Sequence, residues 1–199
     1  MKILPMDIKK WSESLPKCVD SLYASNFKDE GVSPFEKTLN GLLTANFTLW
    51  GYEDEARRRD VDDRYIADLK RNIDRENQKR NDIIDKLDSM LREDVEKTLK
   101  TIDRSLPMNS ETPGSIFDRI IILGLRSHNL KKEIERKDAD SAHVERCSLM
   151  LKQVKERFSD LTGCLEELLG DIYSGKKKIK SYKQHKLYND PELNPSLRR

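Results

Sequence analysis

At 199 residues the chain is long enough to fold as one domain with a sizeable core. Charged residues make up 37% of it and mean hydropathy is −0.80, against only 8 Gly and 7 Pro, a composition that favours long amphipathic helices and disfavours a strand-rich fold. Net charge is +2 but uneven: residues 176–199 hold six Lys and two Arg against Asp190 and Glu192, a local +6 that leaves −4 for the rest. The longest apolar run, 120–125, falls far short of the roughly 20 residues that cross a bilayer, and residues 1–10 lack a signal-peptide core. A cytoplasmic protein without a membrane span is therefore expected. Cys18, Cys147 and Cys164 are odd in number with no CxxC spacing, which indicates neither a disulfide framework nor a zinc knuckle.

Residues 1–33 hold two short amphipathic pieces, around Ile8 and Trp11 and around Val19 and Tyr23, with Pro16 between them; one or two short helices packing on the body are expected. Ser33-Pro34 is a helix-start signal, a cap followed by proline at the first position, and opens a helix from about Phe35 to Arg58. Asp60, Asp62 and Asp63 supply the cap and acidic first turn of the next, which runs to about Lys100 and should form an antiparallel hairpin with its predecessor. Thr112-Pro113-Gly114-Ser115 starts a third long helix, to about Lys137, that is apolar nearly all round and should be central. A fourth carries the cleanest stripe in the chain, from Val144 through Leu151, Phe158 and Leu165 to Ile172, with Gly175 as its C-terminal cap. The expected fold is all-α, an antiparallel four-helix bundle-like single domain. It comprises an N-terminal segment (1–33), a bundle core (34–175) and a basic tail or strap (176–199) ending in turn-forming YNDPELNP.

Polar residues interrupt the apolar stripes of the first two long helices at mid-length. At about 100° per residue, Asn46, Glu53 and Arg57 share a stripe with Leu39, Leu42 and Leu49, while Glu76, Asn77 and Arg80 fill the gap between Ile73 and Ile84. All six should face inward, with Trp50, Asp54 and Asn81 on the edges. Buried charges are costly unless paired, so this pattern fits either a ligand site or a structural network that fixes helix register. The third helix adds Asp118, Arg119 and Arg126, and the N–H groups opened at Gly114 could receive an anion such as phosphate.

Metal chemistry has little support: the di-iron Glu-x-x-His repeat is absent at His128, His143 and His185, though a magnesium ion bridging a phosphate is compatible with the carboxylates. No Ser-His-Asp order, GxGxxG or GxxxxGK[ST] is present. His128, beside Phe117 and Leu125, reads as a core or interface histidine. The basic segment 176–186, with Tyr182, His185 and Tyr188, has the composition of a nucleic-acid or lipid contact or of a solvated tail; a strap bringing Lys and Tyr to the site is favoured over both.

Four blocks carry a family resemblance: LWGYEDEAR (49–57), IADLKRNIDRENQKRNDIID (66–85), ETPGSIFDRIIILGL (111–125) and KLYNDPELNP (186–195). Together they resemble the bacterial domain of unknown function 4254 family over about residues 35–197. In its pattern Trp50, Glu53, Asp54, Arg57, Asn77, Arg80, Asn81, Pro113, Gly114, Asp118 and Arg119 match recurrent motif positions, whereas Gly51 stands where a histidine often follows the tryptophan. The resemblance implies an all-helical fold and a genomic setting near cell-surface polysaccharide synthesis, and carries no established activity.

The functional expectation is a polar inter-helix pocket for a small anionic ligand such as a phosphorylated sugar or nucleotide-sugar, with the presence of chemistry left open. Glu53, with Asp54, is the candidate general base or magnesium ligand; Arg57, Arg80 and Arg119 would hold phosphate or carboxylate. Asn46, Asn77 and Asn81 would orient the ligand, Trp50 would offer a stacking face, and Gly114 and Asp118 complete the binding set. The rival expectation is a non-enzymatic accessory protein that docks on a glycosyltransferase or on itself.

Overall fold

The computed structural model describes residues 6–31, 33–99, 103, 105–180 and 191–198. They form five helices, α1 (Ile8–Tyr23), α2 (Pro34–Glu55), α3 (Asp63–Leu99), α4 (Pro113–Glu135) and α5 (Ser141–Tyr173). Among the described residues there is no strand, only an isolated bridge between Met108 and Lys178.

The helix boundaries follow from cap chemistry. Ser33 accepts the Glu36 N–H at 3.1 Å while the Glu36 carboxylate accepts the Ser33 N–H at 2.9 Å, so two orphan donors of the first turn are satisfied reciprocally. Asp62, Thr112 and Asp140 each accept the N–H three residues on, at 2.7, 3.2 and 2.7 Å. At the end of α5, Gly175 takes φ +72°, its N–H donates to the Ile172 carbonyl at 3.1 Å, and the Lys176 N–H donates to the Asp171 carbonyl at 2.9 Å. This is a Schellman closure, and the left-handed residue it needs is the glycine.

Of the one or two short helices expected before residue 33, the chain forms one, with Pro16 inside it. α1 runs through it as one 16-residue helix, because the ring sits on the exposed side while the buried stripe Ile8, Ser12, Leu15 and Val19 continues uninterrupted. The cost of one missing hydrogen bond is offset by burial: Ile8, Leu15 and Val19 are at most 2% exposed and belong to the same core as the long helices. The four long helices and the N-terminal helix therefore share one core.

α2 packs along α3 and α4 along α5, while α4 touches all four other helices. Phe117, Ile120, Ile121 and Leu125 of α4 are fully buried, and Trp11 and Phe35 meet Phe117 edge-on at 5.0 and 5.8 Å. Gly124 lets α1 approach: a Cβ there would stand 3.3 Å from a Leu15 methyl. α1 is also clipped to α4 through His128, 8% exposed at its side chain, whose Nδ1 lies 2.6 Å from Asp20 and whose ring stacks on Tyr23 at 4.0 Å.

The start of the tail lies on the body. The Lys178 N–H donates to the Pro107 carbonyl at 3.0 Å, and Ile179 packs against the core. Tyr182, His185 and Tyr188, on which the strap expectation rests, lie outside the described residues. Among the described residues no helix is long and apolar enough to cross a membrane.

Candidate functional site

The end of α2, the middle of α3 and the centre of α4 enclose a groove of about 320 Å³. α2 brings Asn46, Trp50 and Glu53 at spacings of four and three residues, with Asp54 beside them, and Arg57 follows just past its end. α3 brings Asn77 and Arg80, one turn apart, and α4 closes the groove with Arg126 over a floor that includes Ile122 and Leu125.

Beneath the groove lies a buried network. Asp118 of α4, 3% exposed, accepts from Asn46 Nδ2 at 2.8 Å and from Arg80 Nε at 2.7 Å, and Arg80 Nη2 completes a fork on its second oxygen. Asn46 Nδ2 also donates to the Leu42 carbonyl at 3.1 Å. Three helices are thus joined at one carboxylate. The hydrogen bonds to Asp118 hold the Arg80 guanidinium above its usual range, although burial opposes this.

The expectation that all six mid-helix polar residues face inward needs correction. Asn46 is buried, but the side chains of Glu53 and Arg57 are 46% and 69% exposed and pair with each other at 3.1 Å on the rim. The reason is helix length: α2 ends at Glu55, three residues before its expected end, so its last turn overhangs the groove and Arg57 lies beyond it. Glu76 does turn in, and its Oε2 is buried without a hydrogen bond among the described residues, with Lys79 Nζ 3.4 Å away.

Four expected ligand residues lie outside the groove lining: Asn81, Arg119 and Gly114, and Asp118, which lies beneath it. Arg119 pairs with Glu111 on the α5 side of α4. At Gly114 the position expected for an external anion is filled from within, since its N–H donates to Asp88 Oδ1 of α3 at 2.7 Å. A Cβ there would meet the Ile84 carbonyl oxygen at 2.8 Å, so the glycine serves a close crossing of α4 over α3. Asp88 itself, 2% exposed, was missed; burial pushes its carboxyl up to about 6 against the lowering effect of its bonds to Thr112 and Gly114. A signal existed, because Asp88 is four residues from Ile84 and three from Leu91 on the same apolar stripe. Arg126 of α4, outside the expected ligand set, also lines the groove.

The unengaged groups define what the groove can do. Among the described residues, the Trp50 indole N–H, the Asn77 carboxamide and the Arg126 guanidinium have no hydrogen-bond or ion-pair partner. These are donors and an aromatic face, with the Glu53 and Asp54 carboxylates at the mouth. No group of three or more His, Cys, Asp or Glu among the described residues is placed to hold a metal ion.

Fold and groove together define an all-helical protein with a polar cleft floored by a charge-paired network. The family model described as protein of unknown function (DUF4254) matches residues 36–181, and the chain belongs to that family. The match spans α2 to α5 and every groove residue, and begins after α1. No curated protein and no solved structure matches the chain.

Proposed function

We propose that the groove between α2, α3 and α4 binds a small anionic, hydroxyl-rich ligand, of the class of a phosphorylated sugar or nucleotide-sugar, in a role tied to cell-surface polysaccharide synthesis. The observation that carries this reading is the set of donors without partners, Trp50, Asn77 and Arg126, facing one cleft. Trp50 and Asn77 are half-buried and Arg126 is exposed, so all three stand at the cleft surface with their donors available to a ligand's acceptor oxygens. Trp50 supplies a stacking face and Asn77 a two-way hydrogen-bonding group for hydroxyls. Glu53 and Asp54 stand where a general base, or the one or two carboxylates that magnesium takes beside a phosphate, would be needed.

Thermal shifts against a panel of sugar phosphates, nucleotides and nucleotide-sugars, with and without magnesium, test the reading. Wild type should be stabilised by at least one compound, and Asn77→Leu should lose that response while melting no lower than wild type. If no compound shifts wild type, or if Asn77→Leu melts well below it, the polar groups serve only the fold.

A second reading, a docking protein, draws on Leu149 and Met150, which α5 leaves 59% and 47% exposed. Light scattering across a concentration series, with Leu149→Ser/Met150→Ser as the comparison, decides whether that pair mediates self-association.

A further inference from the structure

The groove's own charges cancel. Arg57, Arg80 and Arg126 face Glu53, Asp54 and the underlying Asp118, and two of the three guanidiniums are already committed, Arg57 to Glu53 and Arg80 to Asp118. A ligand phosphate would find little net attraction there. The excess of positive charge lies one step across α4.

On the α5 side of α4, a trough of about 190 Å³ is lined by Arg119 and Arg126 of α4 and Arg157 of α5, over Ile122, Leu123 and Leu161. Ile122 and Arg126 line both cavities, so the trough and the groove meet over a common saddle. The α4 members fall at i, i+3, i+4 and i+7, one stripe of the helix, and α5 adds Arg157 four residues before Leu161. Arg119 has Glu111 as a counter-ion, but Arg126 and Arg157 have none among the described residues. Guanidiniums gathered on an apolar floor without matching carboxylates repel one another, and a phosphate, with its several acceptor oxygens, relieves that repulsion while accepting forked hydrogen bonds.

We infer that Arg119, Arg126 and Arg157 form an oxyanion subsite that takes the phosphate of the ligand, while its uncharged body lies over the saddle against Trp50 and Asn77. This rests on the reading of the groove as a ligand site and gives that ligand a direction. It also moves anion recognition from Arg57 and Arg80, whose partners are carboxylates of the chain itself, to Arg126 and Arg157, which have none among the described residues, with Arg119 beside them on its Glu111 partner.

Titration of the full chain with inorganic phosphate and with pyrophosphate at constant ionic strength, followed by calorimetry or amide chemical shifts, tests the subsite. Arg157 is exposed and its replacement should not disturb folding. Arg157→Gln should weaken phosphate binding at least about tenfold, the loss expected for a charge-assisted hydrogen bond. Lys97→Gln, which removes an equal charge from the far end of α3, should leave it unchanged. Equal weakening by both variants would show a general charge effect and overturn the subsite, as would wild type that responds to phosphate no more than to chloride. If Arg157→Gln binds phosphate normally and Asn77→Leu does not, the anion lies in the α2–α3–α4 groove; the subsite then fails while the groove reading stands. A panel response in wild type lost in Asn77→Leu without any binding of inorganic phosphate separates the two in the same way.

Discussion

Two buried aspartates sit where α4 crosses its neighbours, and they are solved differently. Asp118, beneath the groove, receives a guanidinium and an amide from two other helices. Asp88, at the α4 N-terminus, receives the neutral Gly114 N–H and the Thr112 side chain and, among the described residues, no cation. Neutral donors do not balance burial, and Asp85 nearby adds to the upward push, so the Asp88 carboxyl is raised to about 6. The contrast teaches that the chain pairs Asp118 with a cation beneath the groove and tolerates a titrating carboxyl where only helix packing is at stake.

Breaking the first pairing should have the largest effect. Arg80→Met strands a buried carboxylate and should cost about 3 to 5 kcal/mol in urea unfolding. Arg80→Met with Asp118→Leu, which removes both charges, should recover most of that loss; if the double variant is as unstable as the single, the pair is not the dominant interaction. The partner to remove is Asp118, since Glu53 lies out on the rim.

Asp88 gives the complementary test. Its folded pKa is raised above the ordinary 3.8, so the fold favours the protonated form, a contribution fully present below about pH 4 and lost as pH rises through about 6. Asn mimics that form without titrating. Asp88→Asn should therefore be more stable than wild type above pH 6, by up to roughly 3 kcal/mol from the size of the shift, with the advantage fading below pH 4. A pH-independent difference in denaturation midpoint would contradict this.

Two glycines sharpen the comparison at smaller scale. Gly114→Ala forces a Cβ to 2.8 Å from the Ile84 carbonyl oxygen and to 2.9 Å from Asp88 Oδ1. It should cost about 1 to 3 kcal/mol as an overpacked contact, read as a lowered melting temperature. Gly51, whose added Cβ meets nothing within 4 Å, lies in α2 with no close approach to serve. Gly51→Ala should gain up to about 1 kcal/mol from helix propensity, and a loss there would reveal a contact that the free position does not show.

Much of this was legible in the chain. Ser33-Pro34, Thr112-Pro113 and Gly175 mark helix ends because the groups they satisfy are local in sequence. The helical spacing of Asn46, Trp50, Asn77 and Arg80 likewise places them on one cleft. What helical spacing does not contain is partner choice. Arg80 selects Asp118 over Glu53 or Glu76, and Gly114 receives Asp88 in place of an external anion, because both depend on the relative heights of three helices. Pro16 left the choice between one and two N-terminal helices open for a related reason: its local cost is visible in sequence, whereas the burial of Ile8, Leu15 and Val19 that outweighs it is tertiary.

The seating of α1 has a consequence for assembly in time. α2 with α3, and α4 with α5, are neighbours in sequence and can pair as hairpins at low loop-closure cost. The bonds that anchor α1, Asp20 with His128 and Tyr23 with Asn129, close separations of 108 and 106 residues. α1 is thus expected to dock after the two hairpins have met, with its contacts absent from the transition state. Contacts of that kind leave the folding rate almost untouched and slow unfolding instead, so the clip at Asp20 and His128 governs how long the folded molecule lasts more than how fast it forms.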